Sequence, residues 1–524
     1  MPSSSDHVKP VAQRLHAILS APMPAPEMRA ALATVIVACT ATIGCSHPPR
    51  LAADLFITRA NVWTGNPAQP SATAVAVIGD RIVDVGGADE IEHWRGPNTM
   101  VVNAEGRRLI AGFNDARVRV VDGGTRLDEV DLTDAATPAE FARRINERAK
   151  AKPGEWVLGG RWDERAWQPA ALPARSLIDD ITNSSPVFVV RFDGSMALAN
   201  AAALGRAGIT EQTPNPPGGA IVRGANGFPT GVLQGTAMAP VLRVIPAMSP
   251  EQRLHAVKRA LEQAQSLGIT SVQDLGATVD DIAVYADLAN RGELTVRIYA
   301  VPGEAGWYDQ AKLGVHRAFG SPWLRIGAVH AVFGATGRTA AMRTRLMAAD
   351  HAGLQLSVEA VDAGPASTVL DLFNGIARAN GGRDRRFRLG GSRITPADAD
   401  RLSALNVVVV LQPGRGDIAG TATAGHAIHV ALGSGWPDAP LNPMLTLQNE
   451  ARPPLTVVEA LAAQTSGAAF AEFQENEKGT ITRGKLADMV ILSDDILTLP
   501  AARLTGVRAL TTIVGGKIVH QRKP

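Results

Sequence analysis

The run Asp115-Ala116-Arg117-Val118-Arg119 carries the most chemistry in this chain. In an extended strand, residues two apart share a face, so Arg117 and Arg119 would present two guanidiniums side by side. A guanidinium stays protonated at any ordinary pH and has no lone pair to give a metal. Such a pair can fork onto a carboxylate or phosphate, or hold a buried counter-charge. Other reactive types are scattered. His330 has no histidine or cysteine at a matching position, and the pair His426 and His429 lacks a third ligand. The Ser195 hydroxyl would need a base within reach to act as a nucleophile, and none is evident. The only two cysteines, Cys39 and Cys45, precede the folded body. That excludes a disulfide framework, a cysteine nucleophile and a thiolate metal site from the body.

These residues must be placed by a large fold. The 524 residues exceed one ordinary domain, and 45% hydrophobic with 19% charged residues is globular composition. A formal net charge of +2, with only short basic clusters such as Arg383-Asp384-Arg385-Arg386, gives no ground for nucleic acid as partner. From Ala53 to Leu109 short alternating runs read as strands, and the same texture returns at Asp488–Leu492, Leu510–Val514 and Lys517–Val519. Two β-rich ends flanking a long middle predict a small β-sandwich built from residues 53–110 and 476–524.

Between them, strand-like runs fall at Ala116–Val121, Ile269–Leu275, Leu294–Val301, Leu324–Phe333, Leu354–Val361, Arg386–Gly390, Val407–Gln412 and Ile428–Gly433. Helical periodicity fills several gaps, at Pro250–Leu267, Arg338–His351, Ala366–Asn380 and Pro396–Leu405. Alternation of this kind predicts an α/β chain with a (β/α)8 TIM-like barrel over 111–475. The first gap is too long for one crossover, so 125–249 is expected to form an inserted subdomain. It contains a helix at Pro138–Lys150, the stretch Trp156–Trp167 and a strand at Val187–Arg191. Its tryptophans are expected in the core.

Residues 1–52 read as a leader and linker. The apolar run Ala30–Gly44 follows Met28-Arg29 and ends at Cys45-Ser46. It is shorter than the roughly 20 residues of a membrane span and has the length of a signal-peptide core. Thr42-Ile43-Gly44-Cys45 resembles a bacterial lipobox, although Thr42 stands where leucine is usual. The reading is an exported protein, periplasmic or a membrane-anchored lipoprotein of a bacterial envelope, lipidated at Cys45 and started at Met28. A cleaved signal without lipid is the other reading.

Several segments resemble family 3 amidohydrolases, the N-substituted formamide deformylase-like group. Leu109-Ile110-Ala111-Gly112-Phe113-Asn114-Asp115-Ala116 is similar to the family's lead into its first barrel strand, P-G-F-x-D-x-H-x-H. Trp156-Val157-Leu158-Gly159-Gly160-Arg161-Trp162-Asp163-Glu164, Phe192-Asp193-Gly194-Ser195 and Pro216-Pro217-Gly218-Gly219 resemble its insert. Gly268–Asp274 resembles its second barrel strand, and Lys478–Asp488 its return to the sandwich. The resemblance runs from about residue 53 to the end. It implies a metal-dependent hydrolase of non-peptide C–N bonds, in amides or N-substituted formamides. Metal-bound water would lose its proton near neutral pH.

At the family's metal positions the sequence departs. The H-x-H pair reads Arg117-Val118-Arg119, and the histidine of D-G-H reads Ser195. The lysine position reads His330, and Glu359 stands for the histidine of V-H-A-I-G-D-R. R-I-E-H-A-Q reads Arg388-Leu389-Gly390-Gly391-Ser392-Arg393, and the catalytic aspartate of G-S-D reads Gly435. Two cations at the mouth would each repel a divalent ion by roughly 4 kcal/mol per unit charge at about 4 Å and an effective dielectric near 20. The expectation is therefore a pseudoenzyme with no metal and no cofactor. Arg117, Arg119, His330, Glu359 and Arg393 would line its vestigial site, with Glu359 as counter-ion to both strand-1 arginines. The cluster is either a structural salt bridge or a seat for a small anionic ligand. Asp115, Asp274 and Ser195 would support it from behind. Membrane contact is expected only through a lipid on Cys45. Two other readings stay open: an active amidohydrolase with altered or metal-free chemistry, and a structural or interaction protein of the envelope.

Overall fold

A computed structural model describes residues 51–182, 185–334, 339–360, 366–413, 417–418, 428–451 and 455–522. Residues 1–50, with Met28, the Ala30–Gly44 run, Cys39 and Cys45, as well as Arg338, Val361 and His426, lie outside the described residues. No helix of the described residues is long and apolar enough to cross a membrane.

The two chain ends share a sheet because their apolar strands have two faces to bury, Leu109, Met489 and Ile491 on one side and Ile110, Val490 and Leu492 on the other. Met489–Leu492 pairs antiparallel with Arg108–Ala111, in a six-stranded sheet that also contains Ala509–Val514 and Lys517–Gln521. A four-stranded sheet of Leu55–Thr58, Ala74–Ile78, Arg81–Gly86 and Met100–Asn103 accompanies it. Leu55, Ile57, Val75 and Val77 bury themselves against Leu109, Met489, Ile491 and Ile513. At the edge, Arg108 Nε donates to Asp495 Oδ1 at 2.8 Å, a second tie between the ends.

The middle of the chain supplies eight parallel strands: Phe113–Val118, Ile269–Ala277, Arg297–Pro302, a fourth in two pieces (Leu324–Ile326 and Ala328–Phe333), Gln355–Ala360, Arg388–Gly390, Val408–Leu411 and His429–Leu432. They are called barrel strands 1 to 8 below. Their ladder divides into two five-stranded sheets at the break in strand 4. The halves meet where Gly303 bridges His330, and where Val118 bridges Trp436 beyond strand 8. The eight strands match the runs read from sequence to within a few residues. Strand 1 differs most, ending at Val118 rather than Val121. Asp274 Oδ1 accepts the Val120 N–H at 2.9 Å, and the chain turns into the helix Val120–Asp128. A free N–H in the first turn that a carboxylate can take is a ready helix start.

That helix belongs to the barrel. It packs on Pro250–Ser266 so closely that a Cβ at Gly124 would lie 1.8 Å from the Ala256 carbonyl oxygen. Pro250–Ser266 itself starts from a capping box, Ser249 with Gln252, and buries Ala256, Val257, Ala260, Leu261 and Ala264. The insert's own sheet begins at Val130, five residues after the boundary read from sequence. It orders Val130–Asp131, Val157–Trp162, Val187–Arg191, Met196–Ala199, Pro229–Gly235 and Gly219–Arg223. Trp162 and Trp167 are core residues, edge-on to Phe141 at 6.3 and 5.5 Å, with ring N–H groups donating to Val189 O and Ala135 O.

The barrel interior is filled. Ala116, Val408, Val410 and Ala431 pack on Ala468 and Ala471 of the segment that follows strand 8. A polar layer joins the same segment. Asn114 Nδ2 and Lys478 Nζ donate to Glu472 Oε1 at 2.7 and 2.8 Å. Gln273 and Gln355 donate to the carbonyls of Ala468 and Ala471 at 2.8 and 2.7 Å. Internal layers of side chains make such a barrel a packed core, which leaves the C-terminal ends of the strands as the place for chemistry.

Candidate functional site

At those ends the first residue to place is Arg117. Its backbone is fixed twice: Asp115 Oδ1 accepts the Arg117 N–H at 3.1 Å, and the Arg117 carbonyl accepts the Gly435 N–H at 3.0 Å. Asp115 also accepts the Ser434 N–H at 2.9 Å, sewing strand 1 to the segment after strand 8. Burial pushes the Asp115 carboxyl up to about 6 despite these bonds.

From this anchor the Arg117 guanidinium reaches Glu359 on strand 5. Nη2 lies 2.8 Å from both carboxylate oxygens, and Nε donates to Oε2 at 3.2 Å. Only 11% of the Arg117 side chain and 7% of Glu359 are exposed, so the pair is desolvated. His330, on strand 4, has Nε2 at 3.8 Å from Glu359 Oε2. Burial pushes its imidazole down to about 4; Glu359 works against this, while Arg117 and Arg388 add to it. His330 is therefore neutral at ordinary pH, and the Arg117 guanidinium supplies the positive charge in direct contact with Glu359.

Gly435 is the residue that the sequence resemblance sets against the family's aspartate. It holds φ +78°, a backbone region that favours glycine. A Cβ here would stand 3.1 Å from Gln412 Oε1 and 3.3 Å from Arg117 Nη1. The room a carboxylate would need is taken by those two side chains.

The structure separates the two arginines that the sequence placed together. Arg119 caps the helix after strand 1, and its guanidinium turns outward to Asp122 and Asp438, each at 3.0 Å, with 42% of the side chain exposed. Same-face spacing holds only while a strand continues, and this one ends at Val118. Glu359 therefore pairs with Arg117 and not with Arg119. Arg393 is exposed, on a two-residue strand paired with Asp417–Ile418. Ser195 also lies exposed, in a turn of the insert where its hydroxyl donates to Asp193 Oδ1 at 2.7 Å. Asp274 does not back the Arg117–Glu359 pair; it accepts Val120 N–H and the Tyr285 hydroxyl at 2.7 Å, holding two outer helices. His429 stacks on Phe470 at 4.0 Å, a packing role at the start of strand 8.

Two neighbours of the pair went unnoticed in the sequence reading. Gln412 follows strand 7, and Arg388 is fully buried on strand 6, donating from Nη2 to Ala116 O at 2.6 Å. Burial pushes Arg388 down to about 10. Arg388 was visible as the first residue of the strand-6 motif. Nothing in sequence marks Gln412.

These residues do not fit a divalent metal. The described residues contain no group of three or more His, Cys, Asp or Glu that could hold one. Among the described residues, the carboxylate at the centre, Glu359, is committed to a guanidinium, and His330 is the imidazole beside it. A neutral ion pair stands where a dication's charge would have to be balanced.

The eight-stranded architecture is that of an amidohydrolase-type fold. The chain belongs to the amidohydrolase family, whose sequence model matches residues 100–520. LONG AFTER FAR-RED 3 of Arabidopsis thaliana is 31% identical over 543 residues, covering 90% of this chain and 92% of that protein. N-substituted formamide deformylase of Arthrobacter pascens is 24% identical, covering 90% and 98%. A metal-dependent hydrolase of Pyrococcus horikoshii, itself uncharacterized, shares the fold at a TM-score of 0.66 and 18% identity, covering 86% of this chain and 99% of its own.

Proposed function

We propose that this chain is a non-hydrolysing member of the amidohydrolase family, in which the Arg117–Glu359 pair replaces the metal centre. The observation that carries the reading is the two-pronged, desolvated contact of Arg117 with Glu359 at 2.8 Å. Hydrolysis of an amide or an N-substituted formamide needs an activated water and a group to take its proton. Here the proton-accepting position is Gly435, and the strand-1 position is a cation. Arg117 and Arg119 are both paired within the chain, which favours the structural salt bridge over capture of an external anion.

The test is direct. Purified protein is analysed for bound metal and assayed against N-substituted formamides and simple amides, with and without added zinc or manganese. The reading expects no stoichiometric metal and no turnover above the uncatalysed rate. One equivalent of tightly bound metal with turnover would overturn it. Turnover without metal would favour a metal-free hydrolase that draws on Asp115, the nearest carboxyl with a raised pKa. We also propose that residues 28–45 export the chain and that Cys45 carries a lipid; the apolar run and its terminal cysteine support this.

A further inference from the structure

A cleft of about 220 Å³ opens where the insert meets the barrel, lined among others by Arg126, Glu129, Asp131, Arg161 and Trp436. None of Arg117, His330 and Glu359 lines it. Its volume is far above the roughly 15 Å³ that admits one water, and below the roughly 300–1,000 Å³ of drug-sized sites. A small molecule fits that interval.

Trp436 forms an aromatic wall. It is 8% exposed and is locked by its backbone, whose carbonyl accepts the Arg119 N–H at 2.9 Å. Its ring lies over Gly123, where a Cβ would come within 2.2 Å of it. The charged lining is mixed, two guanidiniums and two carboxylates, and not all of it is free. Arg126 Nη1 donates to Pro437 O at 3.2 Å, and Asp131 Oδ1 accepts both the N–H and the hydroxyl of Thr133. Glu129 and Arg161 have no ion pair among the described residues. Burial raises the Glu129 carboxyl above its ordinary range, against the opposing pull of the Arg126 guanidinium.

The backbone places both residues on the wall of the cleft. The strand Val157–Trp162 has its register shifted between Gly160 and Trp162, with Arg161 at φ +67° inside the bulge. A Cβ at Gly159 would lie 2.6 Å from Val130 O and 2.7 Å from Glu129 Cβ, so the missing side chain is what lets Glu129 pack there. Bulges commonly re-aim a side chain beside a functional site.

We propose that this cleft binds a small zwitterion of the amino-acid class. Its ammonium would pair with Glu129, its carboxylate with Arg161, and its apolar part would lie on Trp436. A simple amine or a simple acid would leave one of the two unsatisfied. The site does not depend on whether the barrel mouth hydrolyses anything.

Isothermal titration of the full chain tests this with L-leucine, 3-methylbutylamine and 4-methylpentanoate, which differ only in the charged groups. L-Leucine is expected to bind at least about tenfold more tightly than either single-charge analogue, the range of a lost charge-assisted hydrogen bond. Glu129→Gln and Arg161→Gln should each weaken L-leucine by a similar factor. Arg161 is exposed, Glu129 is half-buried, and neither has an ion pair among the described residues to lose, so thermal unfolding of the variants should match the parent. L-Leucine should change tryptophan fluorescence in the parent and not in Trp436→Phe. No heat with L-leucine, an analogue binding as tightly, or binding that survives both substitutions overturns the proposal.

Discussion

Replacing Glu359 by glutamine removes the counter-charge of Arg117 while keeping its shape. The Arg117 side chain is 11% exposed, so water cannot readily replace the lost carboxylate. Breaking one side of a buried pair costs about 3–5 kcal/mol. Glutamine still offers one carbonyl oxygen to Nη2 or Nε, which returns about 1 kcal/mol. The net expectation is about 2–4 kcal/mol. For a body of roughly 470 residues, an unfolding entropy of about 2.1 cal/mol/K per residue gives about 1 kcal/mol/K, so Tm should fall by about 2–4 °C. Arg117→Met should cost a similar amount, since it removes the guanidinium that both Glu359 oxygens accept from. The double variant Arg117→Met with Glu359→Gln removes both charges and should recover most of the loss. Calorimetry and urea titration of the four proteins at pH 7 measure the cycle. Strictly additive losses, or a Glu359→Gln chain within 0.5 °C of the parent, would show that the pair carries no coupling and would remove the basis for reading it as the replacement of a metal.

The pH dependence of stability has two opposed parts that substitution can separate. Asp274 is pushed by burial from 3.8 up to about 7, so its contribution is full below pH 3.8 and is lost as pH rises through about 7. The interval amounts to roughly 4 kcal/mol at 1.36 kcal/mol per decade, and Asp274→Asn should show a relative gain that grows over that window in urea titrations. A gain independent of pH would contradict it. His330 runs the other way: with its pKa lowered from 6.5 to about 4, stability is present above pH 6.5 and lost as pH falls to about 4. His330→Gln should flatten that acid limb; an unchanged limb would show that the imbalance lies elsewhere. Gly435→Asp places the family's residue at φ +78° and against Gln412 and Arg117. It should lose about 1–2 kcal/mol in urea titration and gain no zinc on metal analysis; bound zinc would mean the mouth can rearrange. In a bacterial host, Cys45→Ser should move the chain from the membrane to the soluble fraction and abolish labelling by a palmitate analogue. A membrane-bound, unlabelled parent would refute lipidation.

The sequence by itself determined the strand and helix order, because alternation and helical periodicity are local properties that packing later reuses. Ala366–Asn380 and Val187–Arg191 are found as read, and strand 8 falls within one residue of its run. It also determined that Arg117 and Gly435 offer no side-chain donor to a metal, since a guanidinium or a bare glycine cannot ligate in any fold. Direction and partnership were decided only by the tertiary structure. Whether Arg119 stayed in the mouth depended on Asp274, 155 positions further on, capturing the Val120 N–H and ending the strand. Whether Glu359 met one arginine or two depended on that same turn. The seam that joins Trp436, Glu129 and Arg161 in one cleft has no signature in any contiguous stretch, because it forms between a barrel loop, a helix end and a bulge of the insert. Sequence fixes what a side chain can do, while long-range contacts fix where it points, and a site needs both.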